Sequence, residues 1–434
     1  MLKGKMFLVG WLCVMGFMNV KAQAFDQKYF KTILDSLTSD WFAGRGYVDD
    51  GMNKAGDYLK AEFKKNGLHS FSNNYEQKFI FPINIIKNAQ LKINGKELKY
   101  GIDFIVKPSS RSVSHSKLKF YTFDTNAYIE SFQSKEKTKN FIVKDDQLQK
   151  RRNIILPPLQ TKIDSIQKYY KQWANIYEKN EVQNRTIFRF TSDKLTASLS
   201  QRQSAVSEFV ISDKFYSDKI KINDYSIDVD FNTGFEAKNI IGYIDGINND
   251  SVVVVSAHYD HLGKVGSTIF PGASDNASGT AMMLSLMRYY SKNKPPYKMV
   301  FMAFAGEEAG ILGADYYVNH PLFPLNKIKF LVNLDIMGAG DQGIQVVNGK
   351  VFQQQFNDLV NINTTNRYLK EVKIRGESCN SDHCPFYQKG VPSFFIYTLG
   401  GKGFYHDPND TAENLDLHYS EKVFNLLQGF INTL

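Results

Sequence analysis

The sequence predicts an α/β protein, a mostly parallel central sheet flanked by helices, with a β-rich module inserted into it. Three observations carry this reading. Beyond residue 235, apolar runs bounded by turn residues recur at 240–244, 252–257, 299–305, 330–334, 344–347 and 392–397, the mark of strands buried on both faces. Helical spacing occupies the intervals between several of them, at 277–290, 309–318, 351–363 and 420–434. The stretch 85–230 has a different texture, short β-rich runs separated by polar and Lys-rich segments. The chain has 434 residues, 43% hydrophobic and 22% charged. That composition excludes a disordered tail, a fibre or a small disulfide scaffold, and the length allows two or three domains.

Residues 1–22 read as an export signal. Lys3 and Lys5 precede the apolar run MFLVGWLCVMGFM, and small residues follow around Val20, Ala22 and Ala24. The run is too short to span a bilayer comfortably. The expectation is therefore a secreted or periplasmic mature chain with no stable membrane insertion once the signal is cleaved. Lys plus Arg is 53 against 44 Asp plus Glu, a formal charge of +9; loss of Lys3, Lys5 and Lys21 leaves 50 against 44, or +6. Cys13 leaves with them, so Cys379 and Cys384 remain, in GESCNSDHCPF. A local disulfide is open to them in an oxidising compartment. A metal site through His383 has the wrong spacing for the usual paired-Cys patterns.

Residues 25–84 form the first part of the α/β domain. Within them 52–66 should be a helix, with Ala55, Tyr58, Leu59 and Phe63 on one face and Gly67 as its stop. Residues 85–230 are the inserted module, read from the runs AQLKI, KLKFYTF, NFIV, IFRFT and EFVISD. Its charged stretches, such as KEKTKNFIVKDDQLQKRR, read as a solvated face, so no nucleic-acid partner is expected. Residues 235–434 are the main α/β part. In a parallel sheet the ligand site lies beyond the carboxyl ends of the strands, which directs attention to the polar residues that follow each run.

Taken singly, those residues are ordinary. His258 and His261 follow VVVVSA, and Asp260 between them could hold the far nitrogen of the His258 ring; His261 reads as a loop or substrate-side residue. Asp275 in GASDNASG could simply cap a helix, and Glu307-Glu308 after MVFMAFAG could complement a helix dipole. Asp335 ends the strand FLVNL, where a carboxylate is costly unless it is paired or metal-bound. His406 follows PSFFIYTLGG on a loop. Taken together, two histidines and several carboxylates at strand ends supply donors that Zn²⁺ accepts. One carboxylate remains to act as general base, and a pair of metals about 3.5–4 Å apart would activate water for amide hydrolysis.

The motifs AHYDHLG, GASDNASG, FAGEEAGILGA, NLDIMG, SDHCPF and YHDPNDT, in this order, resemble the dizinc aminopeptidases, family twenty-eight of the metallopeptidases. That family also contains glutamate carboxypeptidases and is related to glutaminyl cyclases. The likeness covers about residues 235–434, and DSLTSDWFAGRGYVDDGMNKAGDYLKAEFKKNGL resembles the family's N-terminal helical region. The resemblance implies a catalytic domain split around the module, which is then either a divergent protease-associated domain or an unrelated lid. It implies an exported aminopeptidase that hydrolyses N-terminal residues of peptides through a dizinc-bound water. His258 and Asp335 would hold one Zn²⁺, Glu308 and His406 the other, and Asp275 would bridge them. Glu307 would be the general base, Tyr405 would stabilise the oxyanion, Asp260 would orient His258, and Asp382 and His383 would be supporting or substrate-side residues. A glutaminyl cyclase is the competing chemistry, against which Tyr405 and Gly279 argue; a non-catalytic binding module would have lost ligands.

Overall fold

The computed structural model describes residues 25–434 apart from 72, 116–118, 160, 162, 180, 181 and 183. The proposed signal at 1–22 lies outside the described residues. Among the described residues no helix is long and apolar enough to cross a membrane.

Two helices open the described chain, α1 (Gln27–Leu37) and α2 (Gly51–Lys65). Asp26 caps α1 by accepting the Tyr29 amide. Strand β1 (Glu76–Ile93) then leaves the central sheet and enters the module. The module holds β2 (Phe104–Val106), β3 (Tyr121–Thr122), α3 (Thr125–Ser131), α4 (Lys135–Leu148), β4 (Asn153–Leu156), α5 (Asp164–Lys179), β5 (Arg185–Thr191) and β6 (Val206–Ser212). The chain returns along β7 (Ile222–Ile244), antiparallel to β1 over almost its whole length. The main α/β part follows: β8 (Asn248–His258), α6 (Gly279–Tyr290), β9 (Tyr297–Phe304), α7 (Leu312–Asn319), β10 (Ile328–Leu334), β11 (Ile344–Val347), α8 (Gln353–Asn366), β12 (Val372–Ile374), α9 (His383–Gln388), β13 (Ser393–Thr398) and α10 (Ser420–Ile431).

The central sheet runs β12-β11-β13-β10-β8-β9-β7-β1. Its middle strands β13, β10, β8 and β9 are mutually parallel, and antiparallel neighbours flank them on both sides. Alternation along β8 shows how two layers cover it. Val253, Val255 and Ala257 enter the core formed with α1, α2, α6, α8 and α10, whereas Val252 and Val254 enter the core under α7 and α9. Strands buried on both faces need continuous apolar runs, which is why the sequence shows them so clearly. β9, β10, β11 and β13 fall where the sequence places them, within one or two residues, and β8 begins four residues earlier than its apolar run.

The module differs from its expected texture. Its five-stranded sheet, β2-β6-β5-β4-β3, is parallel from β3 to β6 and carries three helices. The run NFIV is not a strand but part of α4, capped by Ser134 accepting the Lys137 amide. Phe141 is buried there while Ile142 and Val143 face outward, so three adjacent apolar residues belong to one exposed helix. The Tyr/Lys/Gln-rich stretch IQKYYKQWANIYEK is α5, which buries Ile166, Tyr170, Ala174 and Tyr177 at helical spacing. The sequence boundaries at 84/85 and 230 fall inside β1 and β7, which run unbroken between sheet and module.

Candidate metal centre

Register places the site. His258 ends β8 opposite Phe304 of β9, and Ser256 of β8 pairs with Asn333 of β10, so His258, Glu307 and Asp335 emerge together at the carboxyl ends of three adjacent parallel strands. Asp275 approaches from the segment before α6, and His406 from the loop after β13.

The bland alternatives for these acids do not apply. Asp275 lies ahead of α6, which starts at Gly279, and makes no capping bond to it. Glu307 and Glu308 sit in a turn before α7, which begins only at Leu312, rather than in its first helical turn. Asp275 instead faces two imidazoles. Its Oδ1 is 3.3 Å from His258 Nε2 and its Oδ2 is 3.3 Å from His406 Nε2. His258 Nε2 also lies 3.4 Å from Asp335 Oδ1, and His406 Nε2 lies 3.0 Å from Glu308 Oε2. Two groups of potential metal donors result, His258, Asp275 and Asp335 on one side and His261, Asp275, Glu308 and His406 on the other. All five residues named from the sequence as ligands are thus gathered, with Asp275 common to both groups.

Supporting bonds hold each of them. Ser256 Oγ donates to Asn333, the Asn333 amide donates to Ser381 Oγ, and Ser381 Oγ donates to Asp335 Oδ2, each at 2.8 Å. Asp410 accepts the amides of Ser274 and Asp275. Arg45, fully buried, donates to the carbonyls of Leu37, Tyr259, Pro271, Gly272 and Asp275 and so pins the loop between β8 and α6. Gly272 in that loop has φ +56°, and a Cβ on it would fall 2.2 Å from the Asp275 carbonyl oxygen and 2.4 Å from the His261 ring. Only glycine fits.

Asp260 does not hold His258 through its carboxylate. His258 Nδ1 is 3.2 Å from the Asp260 main-chain oxygen but 3.9 Å from its carboxylate, which accepts the amides of Glu307 and Glu308 instead. His261 is no peripheral loop residue: it is fully buried, and its Nδ1 is 2.6 Å from Glu308 Oε1. Tyr405 is half exposed, with its ring stacked on His406 at 3.8 Å between centroids. Asp382 is buried beside the cluster and His383 Nε2 donates to the Ser378 carbonyl. Cys379 and Cys384 are joined in a disulfide around Ser381 and Asp382. Arg45, Ser381 and Asp410 were missed because a lone polar residue in a loop carries no local sign of distant partners.

The charges divide the carboxylates. Burial and the Asp275 charge would raise the Glu308 carboxyl, but His406 and His261 hold it down to about 2. The His258 and His406 contacts likewise overcome burial and keep Asp275 well below the usual range. Burial pushes Glu307 well above it; His258 opposes this, and the nearby acids Asp382, Glu308 and Asp335 reinforce it. Burial pushes Asp382 to about 8 and Asp260 to about 7.

The fold and site together are an α/β sheet with a buried His and carboxylate cluster at its strand ends, a candidate metal centre. Residues 239–431 match the model of peptidase family M28. The chain is 30% identical over 213 residues to the aminopeptidase YwaD of Bacillus subtilis, covering 46% of this chain and 45% of that protein. It is 28% identical over 220 residues to a probable leucine aminopeptidase of Trichophyton verrucosum, covering 47% and 58%. Alignments with these curated relatives thus span about half of each chain. In fold, it resembles a zinc aminopeptidase from Bacillus subtilis (TM-score 0.64, 17% identity) and an aminopeptidase from Aneurinibacillus sp. strain AM-1 (TM-score 0.60, 17% identity), each over 94% of both chains.

Proposed function

We propose that the protein is an exported zinc-dependent metallopeptidase, and within that class an aminopeptidase working with two zinc ions. The observation that carries this is the shared carboxylate of Asp275, one oxygen toward His258 and the other toward His406. The residues fit such ions. His406 Nε2 and Asp335 Oδ1 are buried with no hydrogen-bond partner among the described residues, and imidazole with carboxylate is a donor set zinc accepts. Three acids buried this closely are costly without a cation. His258, Asp335 and Asp275 would hold one ion, and Glu308, His406 and Asp275 the other.

Zinc bound there supplies a Lewis acid that polarises a peptide carbonyl and acidifies water. The chain's own residues do the rest. Glu307, with its proton affinity raised, takes a proton from the attacking water at its carboxylate and returns it to the leaving amine nitrogen. Tyr405 keeps its hydroxyl proton, because burial and the nearby charges of Asp275 and Glu308 push its ionisation upward, and donates toward the developing oxyanion. A cavity of about 310 Å³ beside Asp275, walled by Ile336, Ala339, Leu399, Phe404 and Leu415, suits an apolar N-terminal side chain. The Cys379–Cys384 disulfide supports an oxidising compartment.

The test uses purified mature protein on a panel of aminoacyl-nitroanilides and on N-terminal glutaminyl peptides, with zinc counted by elemental analysis. Turnover of leucyl and phenylalanyl substrates ahead of aspartyl ones, with two zinc per chain, is expected. Cyclisation of glutaminyl peptides with one zinc overturns the reading.

A further inference from the structure

We propose that the inserted module completes the metal centre: its segment 194–201, between β5 and β6, is a strap that fixes His406 and the turn bearing Tyr405. The inference rests on the reading of His406 as a zinc ligand and gives the module a task within that reading. Three residues carry it through four hydrogen bonds, which join the module to the His406 ring, to the turn before it and to the residue after Glu308.

The Ala197 carbonyl oxygen lies 2.7 Å from His406 Nδ1. A carbonyl only accepts, so Nδ1 carries the ring proton and Nε2 keeps its lone pair toward Asp275 and Glu308. The tautomer that a metal ligand needs is thus set by the module. Lys194 Nζ donates to the carbonyls of Gly403 and Tyr405, at 2.7 and 3.0 Å, immediately before His406. Gln201 Nε2 donates to the Ala309 carbonyl at 2.8 Å, one residue beyond Glu308. The strap therefore touches both sides of the Glu308–His406 pair.

The loop it holds has little stiffness of its own. Gly400, Gly401 and Gly403 all have positive φ, and His406 itself sits at φ +55°, a conformation a non-glycine residue adopts rarely and keeps when its surroundings hold it. The strap is anchored along residues 197–200. The Ser200 carbonyl accepts the Asn84 amide of β1, Ala197 is buried in the module core, and Leu199 packs against both the module core and the central one. Lys194 and Gln201 are positioning residues, acting through His406 and Glu308.

The experiment compares the full-length protein with Lys194→Ala, Gln201→Ala, the double variant, the conservative Lys194→Arg, and Lys144→Ala on α4 as a module control. Zinc release to a chelator, kcat and KM on leucyl-nitroanilide, and deuterium exchange across 399–408 are measured. The double variant should lose one of its zinc ions roughly tenfold faster, with kcat lowered, KM little changed and exchange across 399–408 raised. Lys194→Arg should restore most of this, and Lys144→Ala should match wild type. Wild-type zinc release and exchange in the double variant overturn the strap. If the wild-type protein neither holds zinc nor hydrolyses the substrate, the reading of the centre fails, and exchange across 399–408 still decides whether the strap fixes this turn.

Discussion

The carboxylate of Asp260 receives the backbone of the Glu307-Glu308 turn, Oδ1 accepting the Glu307 amide at 3.1 Å and Oδ2 the Glu308 amide at 3.4 Å. One acid thereby sets the direction of two others. Glu308 meets His261 and His406, while Glu307 lies among His258, Asp382 and Asp335. Adjacent carboxylates acquire opposite proton affinities because only one of them faces two imidazoles.

That division predicts the behaviour of Glu307→Gln. The side chain keeps its shape and loses its proton-carrying function, so turnover of leucyl-nitroanilide should fall by about 10²–10⁴. Zinc content by elemental analysis should stay at the wild-type value. Retained turnover would remove Glu307 as the base.

Asp275→Asn should act on metal content instead. One carboxylate serves both donor groups, and an amide replaces its anionic bridge with a weaker ligand. Elemental analysis after dialysis should find about one zinc or none per chain, where Asp335→Asn should spare the ion on the Glu308 side. Full occupancy in Asp275→Asn would show that the two groups do not share it.

Arg45→Met tests the scaffold. Four of its carbonyl partners lie in the loop from Tyr259 to Asp275, and removing the guanidinium leaves them buried without their donor. A loss on the order of 3 kcal/mol is expected, read as a lower melting temperature together with weaker zinc retention. Arg45→Lys should rescue little, since a single ammonium cannot reproduce the planar fork.

His383 gives a pH dependence. Burial lowers its pKa from 6.5 to about 4, so between those values the unfolded chain binds the proton and the folded one does not. Stability from this group is therefore complete above about 6.5 and is lost as pH falls toward 4, by up to about 3 kcal/mol. Urea midpoints for wild type and His383→Gln should converge across that interval as the pH is lowered. Parallel curves would contradict the assignment.

The sequence was most readable where burial is two-sided. β8, β9 and β10 are buried on both faces over most of their length and so read as near-continuous apolar runs, and the residues that follow them direct attention to His258, Glu307, Glu308 and Asp335 as a candidate cluster. α4 was misread because its apolar residues are adjacent in sequence while only Phe141 faces inward. The Ala197 carbonyl could not have been found at all, since a main-chain oxygen leaves no trace in residue identity. Arg45 and His261 depend on partners whose proximity is created by the fold, not by spacing.

The long excursion along β1 and β7 has a consequence for the order of assembly. Arg45 is synthesised 214 residues before Tyr259, whose carbonyl accepts its Nε, and Asp57 of α2 is synthesised 181 residues before Lys238 of β7, which donates to it. Such distant pairings close late, because the loop entropy must be met before the contacts reward it. The module, with its own core and mostly local strand order, can settle first. Its two anchored strands join the early helices to the later sheet, so the donor cluster depends on contacts of long sequence separation.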